Sequence, residues 1–261
     1  MQLEDARIIL HQPAAGGYRR IVFEASEIAD QTRPGQFVHL RVPTLPDTAL
    51  RRPFSICLAS EGTIHILYKE VGIGTAALAA LPEGTTVSLI GPLGNGFPVP
   101  AADALPLLVG GGYGVAPLLF LATSLKRPGI LFVGGRTAAD ILLTDEFTAL
   151  GWEVQIATED GSRGTTGLVT TALDTWLDQH GQQPAEWFAC GPDGLLRAVG
   201  DRAIAHNCRA WLSLDKHMGC GIGACLACVQ RLQRPDGSQY LGRVCRDGPI
   251  FEAREIVWEE A

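Results

Sequence analysis

The chain has 261 residues, a formal net charge of −7 and a composition that is 46% hydrophobic and 19% charged. That length allows two domains, or two domains with a small appendage, and the composition favours packed cores over disorder. With no basic run to meet phosphates, nucleic acid is not an expected partner. The uncharged stretch Ala104 to Leu125 is long enough to raise the question of a membrane span. Its Pro106, Pro117, Gly110, Gly111, Gly112 and Gly114 read instead as strand, turn and helix start, so a soluble, cytoplasmic protein without a membrane partner is expected.

From Ala6 to Val99, short apolar segments alternate with turn signals. Ala6–Leu10, Tyr18–Glu24, Gln36–Val42, Phe54–Ala59, Thr63–Lys69 and Thr86–Ile90 read as strands, and Gly74–Leu81 as a helix. This pattern predicts an antiparallel β-barrel over residues 1–100. Two stretches in it carry chemistry. In Arg52-Pro53-Phe54-Ser55, an arginine fork suits a pyrophosphate, a ring can lie against an isoalloxazine, and a hydroxyl can bond a flavin edge. The same four residues also fit a surface arginine ahead of an ordinary strand. After Leu67-Tyr68-Lys69 the chain turns through Gly72-Ile73-Gly74-Thr75 into the helix, whose free N–H groups suit a phosphate. A plain glycine turn with Thr75 as N-cap fits as well. Leu89 to Phe97 reads as a connection.

After Ala101 strands and helices alternate. Pro106–Val109, Ile130–Gly134, Glu153–Thr158 and Trp187–Cys190 read as buried parallel strands, with helices over Val115–Leu125, Leu143–Leu150, Thr166–Gln179 and Asp193–His206. A doubly wound α/β domain over residues 101–212 follows, with its ligand off the carboxyl ends of the strands. The loop Gly110-Gly111-Gly112-Tyr113-Gly114 lets backbone approach a pyrophosphate, although it departs from the Gly-x-Gly-x-x-Gly fingerprint. Cys190-Gly191-Pro192 ends the last strand. Cys190 fits either a small core residue or a group facing a nicotinamide.

The last stretch, residues 213–261, holds Cys220, Cys225 and Cys228 in the spacing Cys-x4-Cys-x2-Cys, answered by Cys245. That opening is the spacing of plant-type [2Fe–2S] ferredoxins. Gly219, Gly221 and Gly223 permit a loop wound tightly about a cluster, with amide N–H groups free to point at its sulfurs. A structural zinc site would use two Cys-x2–4-Cys knuckles, whereas Cys245 stands alone; disulfides do not suit a reducing cytosol. The stretch is short against the roughly 100 residues usual for an independent domain, so it is expected to lean on its neighbours and on a partner. Arg243 and Arg246 flank Cys245, to offset cluster charge or simply as solvated groups, and His217 reads as a bystander.

As a set and in this order, these motifs resemble those of ferredoxin–NADP reductase-like flavoproteins. The cysteine run with Val244-Cys245-Arg246-Asp247-Gly248-Pro249 narrows the resemblance to the electron-transfer subunits of NAD-dependent (class 1B) dihydroorotate dehydrogenases. The resemblance implies FAD in the barrel, on Arg52 through Ser55, Leu67 through Lys69, and Gly74 with Thr75. It implies NAD in the middle domain, and a [2Fe–2S] cluster on Cys220, Cys225, Cys228 and Cys245. It also implies a heterotetramer, two of each subunit, with an FMN-containing catalytic subunit that oxidises dihydroorotate. Electrons would then run from that FMN through the cluster and FAD to NAD, with no catalytic acid or base in this chain. The related reductases that prefer NADP carry a Ser-Arg pair near Thr158-Glu159, so Glu159 implies NAD over NADP. Subunits of this kind also serve ferredoxin-, sulfur- and hydrogen-linked reductases, and a zinc-stapled binding or redox-sensing module is the remaining alternative.

Overall fold

The computed structural model describes residues 1–45, 50–180 and 183–259. The first sheet takes β1 (Gln2–Pro13), β2 (Tyr18–Glu24), β3 (Phe37–Arg41), β4 (Arg52–Ser55), β5 (Leu58–Ser60), β6 (Thr63–Lys69) and β7 (Thr86–Leu93). Its order is β4-β3-β7-β1-β2-β6-β5, antiparallel throughout. Short helices α1 (Ser26–Ala29) and α2 (Ile73–Ala79) join its strands. The segment Phe54–Ala59, expected as one strand, is two. Ile56 N–H bonds the Gln36 carbonyl and Cys57 N–H the His65 carbonyl. The chain thus leaves β3 and joins β6, so the two edge strands of the sheet are neighbours in sequence and the sheet curls into a barrel. Alternation aims Ile8, Ile21, Phe23, Val38, Leu40, Ile64 and Ile66 into one core.

The second sheet contains β8 (Leu105–Gly111), β9 (Ile130–Gly135), β10 (Glu153–Thr158), β11 (Thr165–Thr166), β12 (Ala185–Cys190) and β13 (Arg209–Ser213), all parallel. Helices α3 (Val115–Ser124), α4 (Thr144–Ala149), α5 (Val169–His180) and α6 (Asp193–Ala205) connect them. Two of these parallel strands went unread in the sequence. Thr165–Thr166 pair with the end of β10, which delays α5 to Val169, and Arg209–Ser213 adds a strand beside β12. The apolar run Ala104 to Leu125 is β8, a turn and α3. That helix is buried from Val115 to Ala122 because it lies between the parallel sheet and β5 of the barrel. No helix among the described residues is long and apolar enough to cross a membrane.

The C-terminal stretch folds as a hairpin of β14 (Val229–Gln233) and β15 (Gln239–Arg243), a turn of helix α7 (Val244–Asp247), and β16 (Ile250–Glu252). Strand β16 pairs antiparallel with β13 and so forms the edge of the second sheet. Phe251, Leu232, Val244 and Ile256 share one core with Leu107, Val109, Trp187 and Leu212. The stretch Leu89 to Phe97, expected as a connection, continues β7 to Leu93, and its remainder does more than turn the chain. Asn95 donates to the carbonyls of Asp247 and Ile250 (3.2 and 3.0 Å) and accepts from Ile250 N–H, clasping the loop behind Cys245.

Candidate cofactor cavity and cysteine site

The order β10-β9-β8-β12-β13 reverses direction at β8, so the carboxyl ends of β8 and β12 flank the switch point where open α/β sheets bind ligands. Gly114 has no room for a Cβ because the Cys190 carbonyl stands there. The two predicted loops therefore touch. Gly110 faces Val115, 3.2 Å from where a Cβ would sit, and lets α3 pack on β8, while Gly111, Gly112 and Gly114 line the open cavity.

That cavity has a volume of about 1170 Å³ and lies between barrel and parallel sheet. On the barrel side it is walled by Arg52, Pro53, Phe54, Ser55, Leu67, Tyr68, Lys69 and Thr75; on the other by Glu159, Cys190, Gly191 and Pro192. Strand β4 supplies the first motif and β6 the second, and their rings meet edge-on, Phe54 to Tyr68 at 5.7 Å. His11 holds the Tyr68 hydroxyl at 2.9 Å. Gly74 contributes its missing side chain, since a Cβ there would lie 2.8 Å from Arg52 Nε. Thr75 is not an N-cap. Gly72 holds that position, and the Thr75 hydroxyl accepts from Val71 and Gly72 N–H, fixing the turn under the arginine.

One cluster in the wall went unread in the sequence. Asp140, just after β9, accepts from Lys69 Nζ at 3.0 Å and from the Tyr18 hydroxyl at 2.9 Å, and Lys69 also lies over the Tyr18 ring. Burial works upward on the Asp140 carboxyl, but these hydrogen bonds outweigh it and hold its pKa below the ordinary value. The three groups link barrel to parallel sheet across the cavity. No local signal marks them, because they are far apart in the chain. At the other wall, burial pushes the Cys190 thiol up to about 12 despite a hydrogen bond with Ser213. It is a neutral thiol, not a nucleophile.

The four C-terminal cysteines fall into two pairs. Cys220 and Cys225 each donate a backbone N–H to the other's sulfur at 3.4 Å, with Ala224 N–H adding a third bond at 3.3 Å to Cys220. Cys245 N–H points at Cys228 Sγ, also at 3.4 Å, and the second pair lies close enough to feel the charge of Cys220. Burial works upward on Cys220, but amide donors from Ile222, Cys225 and Ala224, with the Cys225 thiol, bring it down to about 6. Burial and the neighbouring Cys228 push Cys245 up to about 12. Among the described residues no three Cys, His, Asp or Glu side chains converge on a single ion. Two thiol pairs bordered by amide donors fit a binuclear iron–sulfur cluster, which takes two ligands on each iron. Arg243 braces the loop by donating to the Gly223 carbonyl and pairing with Asp247, and Arg246 packs on Gly223.

Residues 215–257 match the family described as the iron-sulfur cluster binding domain of dihydroorotate dehydrogenase B. The chain is 43% identical over 237 residues to the protein of Geobacillus kaustophilus named dihydroorotate dehydrogenase B (NAD(+)), electron transfer subunit, covering 88% of this chain and 89% of that one. The chain belongs to this family of electron transfer subunits. The protein of the same name from Geobacillus sp. (strain WCH70) matches at 38% identity over 98% of this chain and 99% of its own length. Among solved structures, one described as an NADH-dependent reduced ferredoxin-NADP oxidoreductase matches with a TM-score of 0.85 and 28% identity, over 98% of this chain and 90% of that one. A ferredoxin NADP+ reductase from Neisseria gonorrhoeae shares the fold of barrel and parallel sheet, with a TM-score of 0.65 over 79% of this chain and 92% of that one, at 16% identity. The expected architecture, an antiparallel barrel, a parallel α/β sheet and a C-terminal iron–sulfur module, is the fold of this family.

Proposed function

We propose that this chain takes electrons from a separate FMN-containing subunit that oxidises dihydroorotate and delivers them to NAD, in an assembly of two of each subunit. The observation that carries the reading is a shared wall. Met218, just before the cysteine run, and Pro249, just after Cys245, line the same cavity as Arg52–Ser55 and the Gly111–Gly114 loop. FAD in that cavity supplies a carrier that handles electrons singly or as a hydride, and a [2Fe–2S] cluster on Cys220, Cys225, Cys228 and Cys245 one that handles them singly. The chain's own work is to bind, orient and exclude water.

The division of labour we propose assigns FAD to residues 1–100, NAD to 101–212 and the cluster to 213–261. Arg52 offers its fork to the FAD pyrophosphate, with Gly74 clearing its path and Thr75 holding the turn. Pro53, Phe54 and Ser55 border the isoalloxazine, and Leu67, Tyr68 and Lys69 form the adjoining wall. Gly111, Gly112 and Gly114 let backbone approach the NAD pyrophosphate, and Gly110 sets the helix behind them. Glu159 bonds a ribose hydroxyl and repels a 2′-phosphate, favouring NAD over NADP. Cys190, Gly191 and Pro192 border the nicotinamide, where a neutral thiol leaves a hydride undisturbed.

The likeness to an NADH-dependent reduced ferredoxin-NADP oxidoreductase supports a second reading, in which a different large subunit exchanges electrons with the cluster. Anaerobic purification from native cells separates the two. An FMN-bearing partner and dihydroorotate-dependent NAD reduction, lost on Cys225→Ser, are expected. Another large subunit with no response to dihydroorotate would overturn the first reading, and a colourless zinc protein would overturn both.

A further inference from the structure

Strand β3 carries side chains toward two sites at once. Its residues Phe37 and His39 share a face, paired across to Ser55 and Pro53 of the flavin motif, while Val38 and Leu40 enter the barrel core. Phe37 and Ser55 line the cofactor cavity; His39 does not. His39 is instead fully buried against the cysteine loop. A Cβ on Gly221, the residue after Cys220, would lie 2.6 Å from His39 Nδ1 and 2.9 Å from its Cε1. With φ at +71°, Gly221 both turns the loop and leaves the imidazole room.

Among the described residues, neither ring nitrogen of His39 has a hydrogen-bond partner within ordinary geometry. A neutral imidazole carries one N–H donor and one acceptor, and a buried side chain with neither satisfied is rare in a folded protein. The nearest charged groups, Arg51 and Arg52, are donors only and cannot receive the imidazole N–H. The Cys220 backbone acts on the imidazole as a weak acceptor would, working its pKa upward, but it falls short of hydrogen-bond geometry and leaves the ring N–H without a full partner. Among the described residues, the chemistry missing at this spot is an acceptor in good hydrogen-bond geometry on the side of the cysteine loop.

We propose that His39 donates its ring N–H to a sulfur of the cluster held by that loop, so that a barrel residue helps set the cluster's reduction potential. The proposal rests on the reading that the four cysteines hold a [2Fe–2S] cluster. A donor to a cluster sulfur stabilises the more negative, reduced state. His39 then acts from the strand that also abuts the flavin motif.

The test is an EPR-monitored redox titration of the anaerobically purified complex with His39 intact, replaced by Phe, or replaced by Gln. His39→Phe keeps a ring and removes the donor; His39→Gln keeps an N–H. The Phe midpoint is expected to fall by the equivalent of a tenfold change in the reduced-to-oxidised ratio, about 59 mV for one electron, with Gln recovering most of it. An unchanged Phe midpoint overturns the proposal. So does an equal shift in both variants, which reports packing alone. If the variants load no cluster, the unaltered protein decides. After ¹⁵N-histidine labelling, pulsed EPR of the reduced cluster is expected to show a histidine nitrogen coupling that survives His217→Gln, and absence of that coupling overturns the assignment. A complex with no [2Fe–2S] signal at all would instead overturn the cluster reading beneath it.

Discussion

The barrel and the cysteine module solve the problem of burial in opposite ways. The barrel's core is made of its own strands and short helices, and among the described residues only Phe120 enters it from the rest of the chain. The module has a two-stranded sheet and one turn of helix, too little to exclude water from its own apolar side chains. It therefore places Cys228, Leu232, Val244, Cys245 and Phe251 in the core of the parallel sheet and adds β16 to that sheet's edge. The cysteine site is consequently fixed to the nucleotide sheet by apolar packing. The barrel keeps its main core to itself and lends only a rim to the other two: Phe37 and Leu93 reach the core of the parallel sheet, Phe97 meets Phe188, and polar clasps join Asp140 to Lys69 and Tyr18, and Asn95 to the loop at Ile250.

The sharpest way to probe this contrast is Cys225→Ser. Cys225 is exposed and outside the shared core, so the fold should stand. Dihydroorotate-dependent NAD reduction and the cluster's visible absorption should both vanish, while bound FAD remains reducible by NADH. Loss of FAD as well would show that the barrel is not independent of the module.

Next in size is Phe251→Ala, a fully packed ring on β16, expected to cost about 3–5 kcal/mol. Calorimetry should show the cysteine module and the parallel sheet destabilised together, in one transition. Two separate transitions, with only the module lowered, would break the comparison.

Asp140→Ala removes the clasp rather than a core, and should cost about 1.5–3 kcal/mol. Because the folded carboxyl is held below its ordinary value, its contribution is present above the unfolded pKa and is lost as pH falls through the folded one. The wild type should therefore weaken on acidification where the Ala variant shows a smaller slope, measured by denaturant titration across the acid range. Equal slopes would remove Asp140 from the clasp.

The smallest effect is expected at Glu159. Glu159→Gln should improve use of NADPH relative to NADH by about 1 kcal/mol, roughly fivefold, because one repulsive charge is removed from a partly solvated wall. A ratio unmoved in steady-state kinetics would take Glu159 out of cofactor choice.

The runs that line the cavity or form the thiol pairs drew notice in the sequence because each lies in one short stretch: Arg52–Ser55, Gly111–Gly114, Cys190–Pro192 and the cysteine spacing. Strand periodicity placed β2, β3, β6 and β10 closely. The reading failed where a local pattern serves a remote partner. Phe54–Ala59 is apolar enough for one strand, but backbone bonds to Gln36 and His65 divide it between two. Arg209–Ser213 and Ile250–Glu252 are too brief for a periodic signal and become strands only beside β12 and each other.

Composition and spacing by themselves determined the class of chain: two nucleotide-sized folding units, a four-thiol site, and glycine turns at strand ends. These follow from local rules, since backbone angles and side-chain periodicity act over a few residues. Tertiary structure alone decided that the cysteines stand in pairs, that Asp140 joins barrel to sheet, and that His39 meets Gly221. Each is a contact between segments far apart in the chain, and its register is set by how whole sheets pack. No local pattern of residues records that.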